Sequence, residues 1–435
     1  MTENVNTRAL ALDMLIEILE NGQYSHLVLR GVLDKYQYLE KQERAFLTRL
    51  TEGTIERLLD LDYIINYFSK TKVKKMKPVI RTLLRMSVYQ LKYMDSIPDS
   101  AVCNEAVKLV KKRGLGQLSG FVNGVLRTIA RDRDRVVYPS PKVEPLAYLS
   151  LTYSMPEWIL EGWLKEYGFA KTEAILQGFA GEKPLSIRCN TTRIAPQDLK
   201  QTLEAEGLTV AEIPGLPYAF DVTGIDYLNG LDSFRQGLFY VQDISSMQVA
   251  ALAEPKKGDY IIDVCAAPGG KSSHLAELLK GTGMVEARDL TDAKVALIEE
   301  NIKRHGLGNM QAVRMDATIH DEASVQKADI LICDLPCSGL GILAKKTDIR
   351  YRMTPEGQES LVRLQQQILD TVWDYVKPGG TLIYSTCTIH RGENEDNVAW
   401  FLSKHSEYEL ESEEQLFPGD KSHDGFFLAK LKRRA

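Results

Sequence analysis

The sequence predicts a multidomain chain: an all-α front end, a small α/β connecting domain and a C-terminal doubly wound α/β domain on a mostly parallel sheet. Three observations carry this. Apolar residues recur at helical spacing through residues 1–135, as in Ala9, Leu12, Leu15, Ile16 and Leu19. Between 184 and 235 the pattern becomes strand–helix–strand, with Leu185–Asn190 alternating, a short helix from Gln197 to Glu206 and a strand from Leu208 to Ile213. From Gly237 onward, strands and helices alternate, which places successive strands parallel. The boundaries expected are 1–135, 140–236 and 237–435, an ordinary division for a chain of 435 residues.

Composition narrows the function classes. The net charge of −5 hides an asymmetry. Residues 1–140 carry 23 Lys/Arg against 16 Asp/Glu, a balance of +7, and the remainder carries 31 against 43, a balance of −12. A basic front end on an acidic body suggests a polyanionic partner for the front end. No run approaches the ~18 apolar residues of a membrane span, and Met1–Leu10 lacks a basic-then-apolar signal pattern, so a cytoplasmic protein is expected. Six cysteines in such a chain are expected to be reduced. With no Cys-x-x-Cys and no histidine at zinc spacing from a cysteine, no metal site is expected.

In the helical front end, Leu83, Leu84, Met86, Val88 and Leu91 form another apolar stripe. Overlapping its start, Ser69–Arg85 holds seven basic residues and no acid. Lys108, Lys111, Lys112 and Arg113 form a second cluster. Such clusters suit phosphate contacts, although each alone fits a solvated helix face. Arg131–Pro145 reads as a charged linker. Tyr153–Trp158 then opens a helix, with Ser154 as its cap and Pro156 in its first turn. In the connecting domain, Arg188 and Asn190 are either RNA contacts or ordinary exposed positions, while Cys189 and Cys103 are packing residues. Further on, Thr354 and Pro355 begin a long helix whose stripe is Leu361, Leu364, Ile368, Val372 and Val376. Lys377-Pro378-Gly379-Gly380 ends it.

Two stretches carry chemistry. Asp263-Val264-Cys265-Ala266-Ala267-Pro268-Gly269-Gly270-Lys271 lies between the first strand of the C-terminal domain and its helix. Small residues there allow close backbone approach to a ligand. A phosphate-binding P-loop needs Gly six residues before the lysine, where Cys265 stands. Asp289 and Asp316 end the next two strands, so a carboxylate sits at three successive strand ends. That suits a ligand with hydroxyls and a positive centre, such as S-adenosylmethionine. The second stretch, Cys333-Asp334-Leu335-Pro336-Cys337-Ser338-Gly339-Leu340-Gly341, follows an apolar strand. Tyr384-Ser385-Thr386-Cys387 ends another. Ligands bind beyond the carboxyl ends of such strands, so an acid and two thiols would face one pocket. Cys265 and Cys333 are expected to pack.

Two resemblances follow from these residues. Arg81–Leu91, Ile97-Pro98, Asn104–Val107 and Gly120–Arg127 resemble the NusB family of all-helical RNA-binding modules. Asp263-x-Cys-Ala-Ala-Pro-Gly-Gly-Lys271, Asp334-x-Pro-Cys337-Ser-Gly, Tyr384-Ser-Thr-Cys387-Thr and Asp424–Leu431 together resemble the RNA cytosine-5 methyltransferases. Arg288 and Leu335 depart from that pattern. The resemblance implies an RRM-like connecting domain and a Rossmann-like sheet of seven strands. It implies S-adenosylmethionine as methyl donor, bound by Cys265, Ala266, Ala267, Pro268, Gly269, Gly270, Lys271, Asp289, Asp316 and Asp334. The implied substrate is a single-stranded or flipped cytosine of 16S ribosomal RNA, cytosine 967 in the family, and the implied state a monomer.

The chemistry explains the residue types. Carbon 5 of cytosine is a poor nucleophile. A thiolate added at carbon 6 turns it into an enamine carbon, which can attack a sulfonium methyl. The family pattern makes Cys387 the nucleophile and Cys337 the group that assists release, with a protonated Asp334 donating to N3. The alternative makes Cys337 the nucleophile, as in DNA cytosine-5 methyltransferases. A binding-only RNA chaperone or a transfer RNA methylase are the rival functions. The two thiols with Asp334 argue against the first, and the NusB-like front end against the second.

Overall fold

A computed structural model describes residues 5–180, 184–419 and 423–435. By contact it divides into two units, one running to Gln177 and including Leu343–Arg352, the other Gly178–Ile342 with Met353–Ala435.

The first unit is helical. Its helices are α1 (Thr7–Leu19), α2 (Ser25–Lys35), α3 (Lys41–Glu56), α4 (Leu58–Phe68), α5 (Pro78–Tyr93), α6 (Asp99–Lys112), α7 (Ser119–Asp132), α8 (Pro145–Tyr153) and α9 (Glu157–Gly178). The apolar stripes meet in one core that includes Leu12, Leu15, Leu47, Leu50, Leu84, Val88 and Leu126. Pro78 opens α5 where its missing N–H costs nothing. Residues 136–144 are irregular, as expected of a linker, yet tied down. The Tyr138 hydroxyl donates to buried Asp60 at 2.5 Å, and the Tyr63 hydroxyl donates to the Val137 carbonyl at 2.6 Å.

Ser154 departs from expectation. It ends α8 in the left-handed region (φ 52°) rather than capping α9. Its hydroxyl accepts instead from the Leu59 N–H, at 2.7 Å, which lacks an intrahelical partner at the start of α4. Leu343–Arg352 contributes a short helix, α10 (Ile349–Arg352), to the same unit. Asp348 accepts from the Ser25 hydroxyl at 2.6 Å, and buried Arg350 donates to the Tyr153 carbonyl at 3.2 Å.

The second unit holds two sheets. The smaller comprises β1 (Leu185–Cys189), β2 (Thr209–Ile213), β3 (Leu216–Thr223) and β4 (Phe239–Val241), antiparallel in the order β2-β3-β1-β4. One face packs Ile187, Cys189, Phe220 and Val222 on Leu199 and Leu203 of the intervening helix. The other face is buried too, which corrects the reading of Arg188 and Asn190. Arg188 is fully buried, paired with Glu277 at 2.6 Å, bonded to Gln242 at 2.7 Å and laid over the Tyr240 ring. Buried Asn190 donates to the Gly237 carbonyl at 2.9 Å. Neither side chain is an exposed position or an RNA contact. Cys103 and Cys189 are buried, as expected of packing residues.

The larger sheet has seven strands: β5 (Tyr260–Asp263), β6 (Met284–Asp289), β7 (Met310–Arg314), β8 (Ala328–Asp334), β9 (Val376–Thr386), β10 (Tyr408–Leu416) and β11 (Phe426–Arg433). Their order is β10-β11-β9-β8-β5-β6-β7, parallel from β9 to β7 and antiparallel at the β11 and β10 edge. Thr354 caps the long helix α11 (Pro355–Val372) by accepting from the Gly357 N–H at 3.1 Å. That helix ends earlier than its sequence suggests. A tight turn, Trp373–Tyr375, follows, and Lys377–Gly380 already belong to β9. A side chain at Gly380 would meet the Asp329 carbonyl at 2.9 Å, so glycine serves the register shift between Ala328 and Ile330 rather than a helix stop.

Removing one member of a buried ion pair strands the other in a low-dielectric site. Arg188→Ala is therefore expected to cost about 3–5 kcal/mol in urea unfolding. The double replacement Arg188→Met with Glu277→Leu is expected to recover most of that loss.

Candidate active site at the carboxyl ends of the sheet

After β5 the chain builds β6 and β7 on one side, then returns to place β8 on the other. The gap between β5 and β8 is thus a topological switch point, where such sheets bind ligands. Asp263 ends β5 and Asp334 ends β8.

The loop after β5 is held from below. The Ala266 N–H donates to the Arg288 carbonyl at 2.8 Å, and the Ala267 N–H donates to Asp289 at 3.0 Å. Gly269 turns the chain at φ 100°, a conformation that favours glycine, and Gly270 begins a helix ending at Leu278. Asp263 is buried and accepts from the Ser272 hydroxyl at 2.5 Å. Burial pushes its carboxyl up to about 7. Asp289, buried at the end of β6, also accepts from the Leu290 N–H at 2.8 Å and pairs with Lys294 at 3.0 Å. Asp316 lies just beyond β7, where the Thr318 hydroxyl and N–H hold its carboxyl below the usual range. Arg288 is buried among Glu286, Ser324 and Asp321, its guanidinium 2.6 Å from the Ser324 hydroxyl. The loop thus uses its backbone, not its guanidinium.

The two thiols meet. Parallel pairing sets Cys333 opposite Tyr384 and Asp334 opposite Ser385. Cys337 lies three residues past Asp334, and Cys387 two past Ser385. Their sulfurs are 3.1 Å apart, and the Cys387 N–H points to the Cys337 sulfur at 3.3 Å. Both residues are partly exposed. The contact with Cys387 and burial hold the Cys337 thiol well above its usual range. Cys333 is fully buried and packs in the core; Cys265 is half-buried against the same cluster, and burial pushes both thiols up.

Asp334 is tied to both stretches. One oxygen takes the Lys271 ammonium at 2.7 Å, the other the Ser385 hydroxyl at 2.7 Å. Burial, the largest single influence, lowers the lysine's pKa, but the charge and hydrogen bond of Asp334 together with the charges of Asp263 and Cys387 outweigh it, and the net shift is upward. Lys271, expected at the cofactor, pairs in the structure with the acid beside the thiols.

Two supporting residues escape sequence reasoning, and the structure gives the last glycine of the Cys337 stretch its reason. Glu393, fully buried, accepts from the Ser338 N–H at 2.8 Å and from the Ser338 hydroxyl. Asn394, equally buried, accepts from the Thr386 hydroxyl at 2.5 Å. Gly341 donates to the Cys387 carbonyl at 3.0 Å and accepts from the Gly425 N–H at 2.8 Å. A Cβ on Gly341 would overlap the Gly425 oxygen, so only glycine fits there. In the sequence, Gly392–Asp396 looks like a solvated polar run.

A Rossmann-like sheet, a small-residue loop at its switch point and carboxylates at the strand ends define the methyltransferase class. The comparisons agree. Residues 250–432 match the model of the 16S rRNA methyltransferase RsmB/F family, residues 5–131 the NusB family, and residues 155–224 the RsmF/B-like ferredoxin-like domain. A Bacillus subtilis protein named as a probable ribosomal RNA small subunit methyltransferase B is 35% identical, over 99% of this chain and all of its own. The ribosomal RNA small subunit methyltransferase B of Photorhabdus laumondii is 30% identical over the whole of both chains. The crystal structure of PH0851 superposes with TM-score 0.84 at 26% identity, covering 99% of each chain. NSun6 from Pyrococcus horikoshii, solved with SFG, gives 0.58 at 25% identity, covering 64% of this chain and 98% of its own. The chain belongs to the 16S rRNA methyltransferase RsmB/F family, with a NusB domain in front, a ferredoxin-like domain between and the catalytic domain last.

Asp263 carries a pH signature. A carboxyl whose pKa rises from 3.8 unfolded to about 7 folded stabilises the fold fully below the lower value, and loses that contribution as pH rises through the higher. Relative to Asp263→Asn, the native protein is therefore expected to lose stability between pH 5 and 8 in urea titrations. A constant difference across that range would contradict the buried, protonated carboxyl.

Proposed function

We propose that this chain methylates carbon 5 of a cytosine in 16S ribosomal RNA, at the family target cytosine 967, through a transient bond between the Cys387 sulfur and carbon 6. The observation that carries this reading is the 3.1 Å contact between the Cys337 and Cys387 sulfurs beside Asp334. Binding alone needs no such group.

S-adenosylmethionine, an analogue of which accompanies NSun6, supplies an electrophilic methyl group when bound. The residues fit it. The backbone of Cys265, Ala266, Ala267, Pro268, Gly269 and Gly270 forms the close-approach loop, with Asp263, Asp289 and Asp316 around it. Lys271 is committed to Asp334, so this loop offers carboxylates to a sulfonium and hydroxyls rather than cations to a phosphate.

Cys387 attacks carbon 6 as its thiolate, leaving carbon 5 an enamine carbon. After methylation, a water molecule takes the carbon 5 proton, the freed electron pair restores the carbon 5–carbon 6 double bond, and the Cys387 sulfur leaves carbon 6 as its thiolate. Cys337, held as a thiol, assists that release. In the resting site Asp334 is held by its neighbours. Both its oxygens already accept hydrogen bonds, from Lys271 and Ser385. As the sulfur adds, the Lys271 ammonium passes a proton to the Asp334 carboxylate, which donates it to N3 in the role expected of it, and the proton returns by the same route on release. The target base must leave any stack to reach these groups.

The division into 1–135, 140–236 and 237–435 accommodates the three matched spans. RNA contact is assigned to the front end. There Lys70, Lys72, Lys74, Lys75 and Lys77 are exposed, whereas Arg81 and Arg85 are taken up by Glu20 and Asp62. Among the described residues no helix is long and apolar enough to cross a membrane, and no cluster of three or more potential metal ligands occurs. A cytoplasmic, monomeric, metal-free enzyme completes the proposal.

Two measurements test it. Cys387→Ala is expected to abolish transfer of a radiolabelled methyl group to ribosomal RNA, and Cys337→Ala to accumulate a protein–RNA adduct stable in denaturant. An adduct in Cys387→Ala instead would reverse the roles. Replacing the five lysines with glutamine is expected to weaken RNA binding and reduce the slope of log K against log salt by roughly 0.7–0.9 for each phosphate left without its lysine. An unchanged slope would remove that cluster from the footprint.

A further inference from the structure

Beyond the thiols themselves, the region around them contains two consecutive buried polar side chains whose hydrogen bonds divide between the two cysteine loops. Glu393 and Asn394 precede the helix Glu395–Lys404, and neither is exposed to solvent. Glu393 grips the Cys337 loop. It accepts from the N–H and hydroxyl of Ser338, the residue after Cys337, and from Gln365 at 3.0 Å. Gln365 itself donates to the Pro336 carbonyl, the residue before Cys337, at 2.8 Å. Asn394 grips the Cys387 loop. It accepts from the hydroxyl of Thr386, before Cys387, and donates to the carbonyl of Thr388, after it, at 3.1 Å. A second donor bond fixes Asn394 to Gln415 at 2.7 Å. Between the loops, the Ser338 and Thr388 hydroxyls meet at 2.8 Å.

We infer that Glu393 and Asn394 are positioning residues that set the placement of the two sulfurs, Asn394 governing adduct formation through Cys387 and Glu393 governing release through Cys337. This rests on the roles given to the two thiols above. One peptide unit joins the two residues, so displacement of either loop is resisted by the same rigid backbone. Hydrogen bonds to an ionised buried carboxylate are among the stronger ones, and each loop is fixed on both sides of its cysteine. The charge of Glu393 is also one of the influences that keep the Cys337 thiol protonated, after its contact with Cys387 and its burial. Loss of Glu393 thus loosens the releasing thiol while leaving the attacking one in place. Loss of Asn394 does the reverse.

Single-turnover and steady-state methylation of ribosomal RNA, with denaturing gels to count covalent adduct, test this in the full chain. Glu393→Ala is expected to form adduct at near-native rate but to lower kcat about 100-fold, as a misplaced group does, and to accumulate the adduct seen in Cys337→Ala. Glu393→Gln, which keeps an acceptor for Ser338, is expected to recover part of kcat. Asn394→Ala is expected to slow the single turnover by a similar factor with no accumulation. Ser338→Ala, which removes one hydroxyl contact and keeps the backbone N–H, is expected to accumulate adduct more weakly than Glu393→Ala and serves if that variant does not fold. Equal loss of both steps in the Glu393 and Asn394 variants, or no accumulation in Ser338→Ala, would overturn the division of labour. Cys337→Ala run in parallel separates the two levels: adduct there but not in the Glu393 and Ser338 variants defeats this inference alone, and adduct in none defeats the roles of the thiols.

Discussion

The site depends on the register of one pair of parallel strands. Asp334 of β8 stands opposite Ser385 of β9, and the Ser385 hydroxyl binds the Asp334 carboxylate at 2.7 Å. From that rung both chains leave the sheet at the same edge. Three residues of one loop and two of the other then bring two sulfurs to 3.1 Å. Strand side chains alternate faces, so a slip of one residue would turn Ser385 away from Asp334 and carry Cys387 away from Cys337. The buried stretches Ile330–Cys333 and Leu382–Thr386 hold this register through apolar packing on both faces of the sheet.

On that frame, charge is arranged sparingly. Lys271 comes from the helix after the glycine loop that follows β5 and Asp334 from the neighbouring strand, and their 2.7 Å pair couples the two halves of the site. A full ion pair accounts for each charge locally. Asp263 lies nearer the core, where burial favours its neutral form. Thiols follow the same gradient: Cys333 is wholly buried and inert, whereas Cys337 and Cys387 reach the surface of the site.

Much of this was legible in the sequence because it is written in local patterns. The Pro-Cys turn, the Thr-Cys-Thr strand end, the glycine loop after β5 and the Thr354-Pro355 helix start depend on neighbours within a few residues, and each stands where its pattern places it. What was illegible depends on residues distant in the chain. Arg188 and Asn190 look exposed on an alternating strand, but both faces of that strand are covered, and the partner of Arg188 is 89 residues away. Ser154 resembles a helix cap and instead serves the start of α4, 95 residues earlier. Leu343–Arg352 packs with the N-terminal helices although it follows the Pro-Cys loop directly. Glu393 and Asn394 sit in a polar run of the kind surface loops contain, and only their burial reveals them.

The central claim is that the Cys387 sulfur bonds to the pyrimidine. Ribosomal RNA carrying 5-fluorocytidine offers the direct test, because fluorine on carbon 5 cannot leave as a proton does and the adduct persists. After incubation with S-adenosylmethionine, nuclease and trypsin, peptide mass spectrometry should find the nucleotide on the peptide containing Cys387. A nucleotide on the peptide containing Cys337, or on neither, would contradict the account.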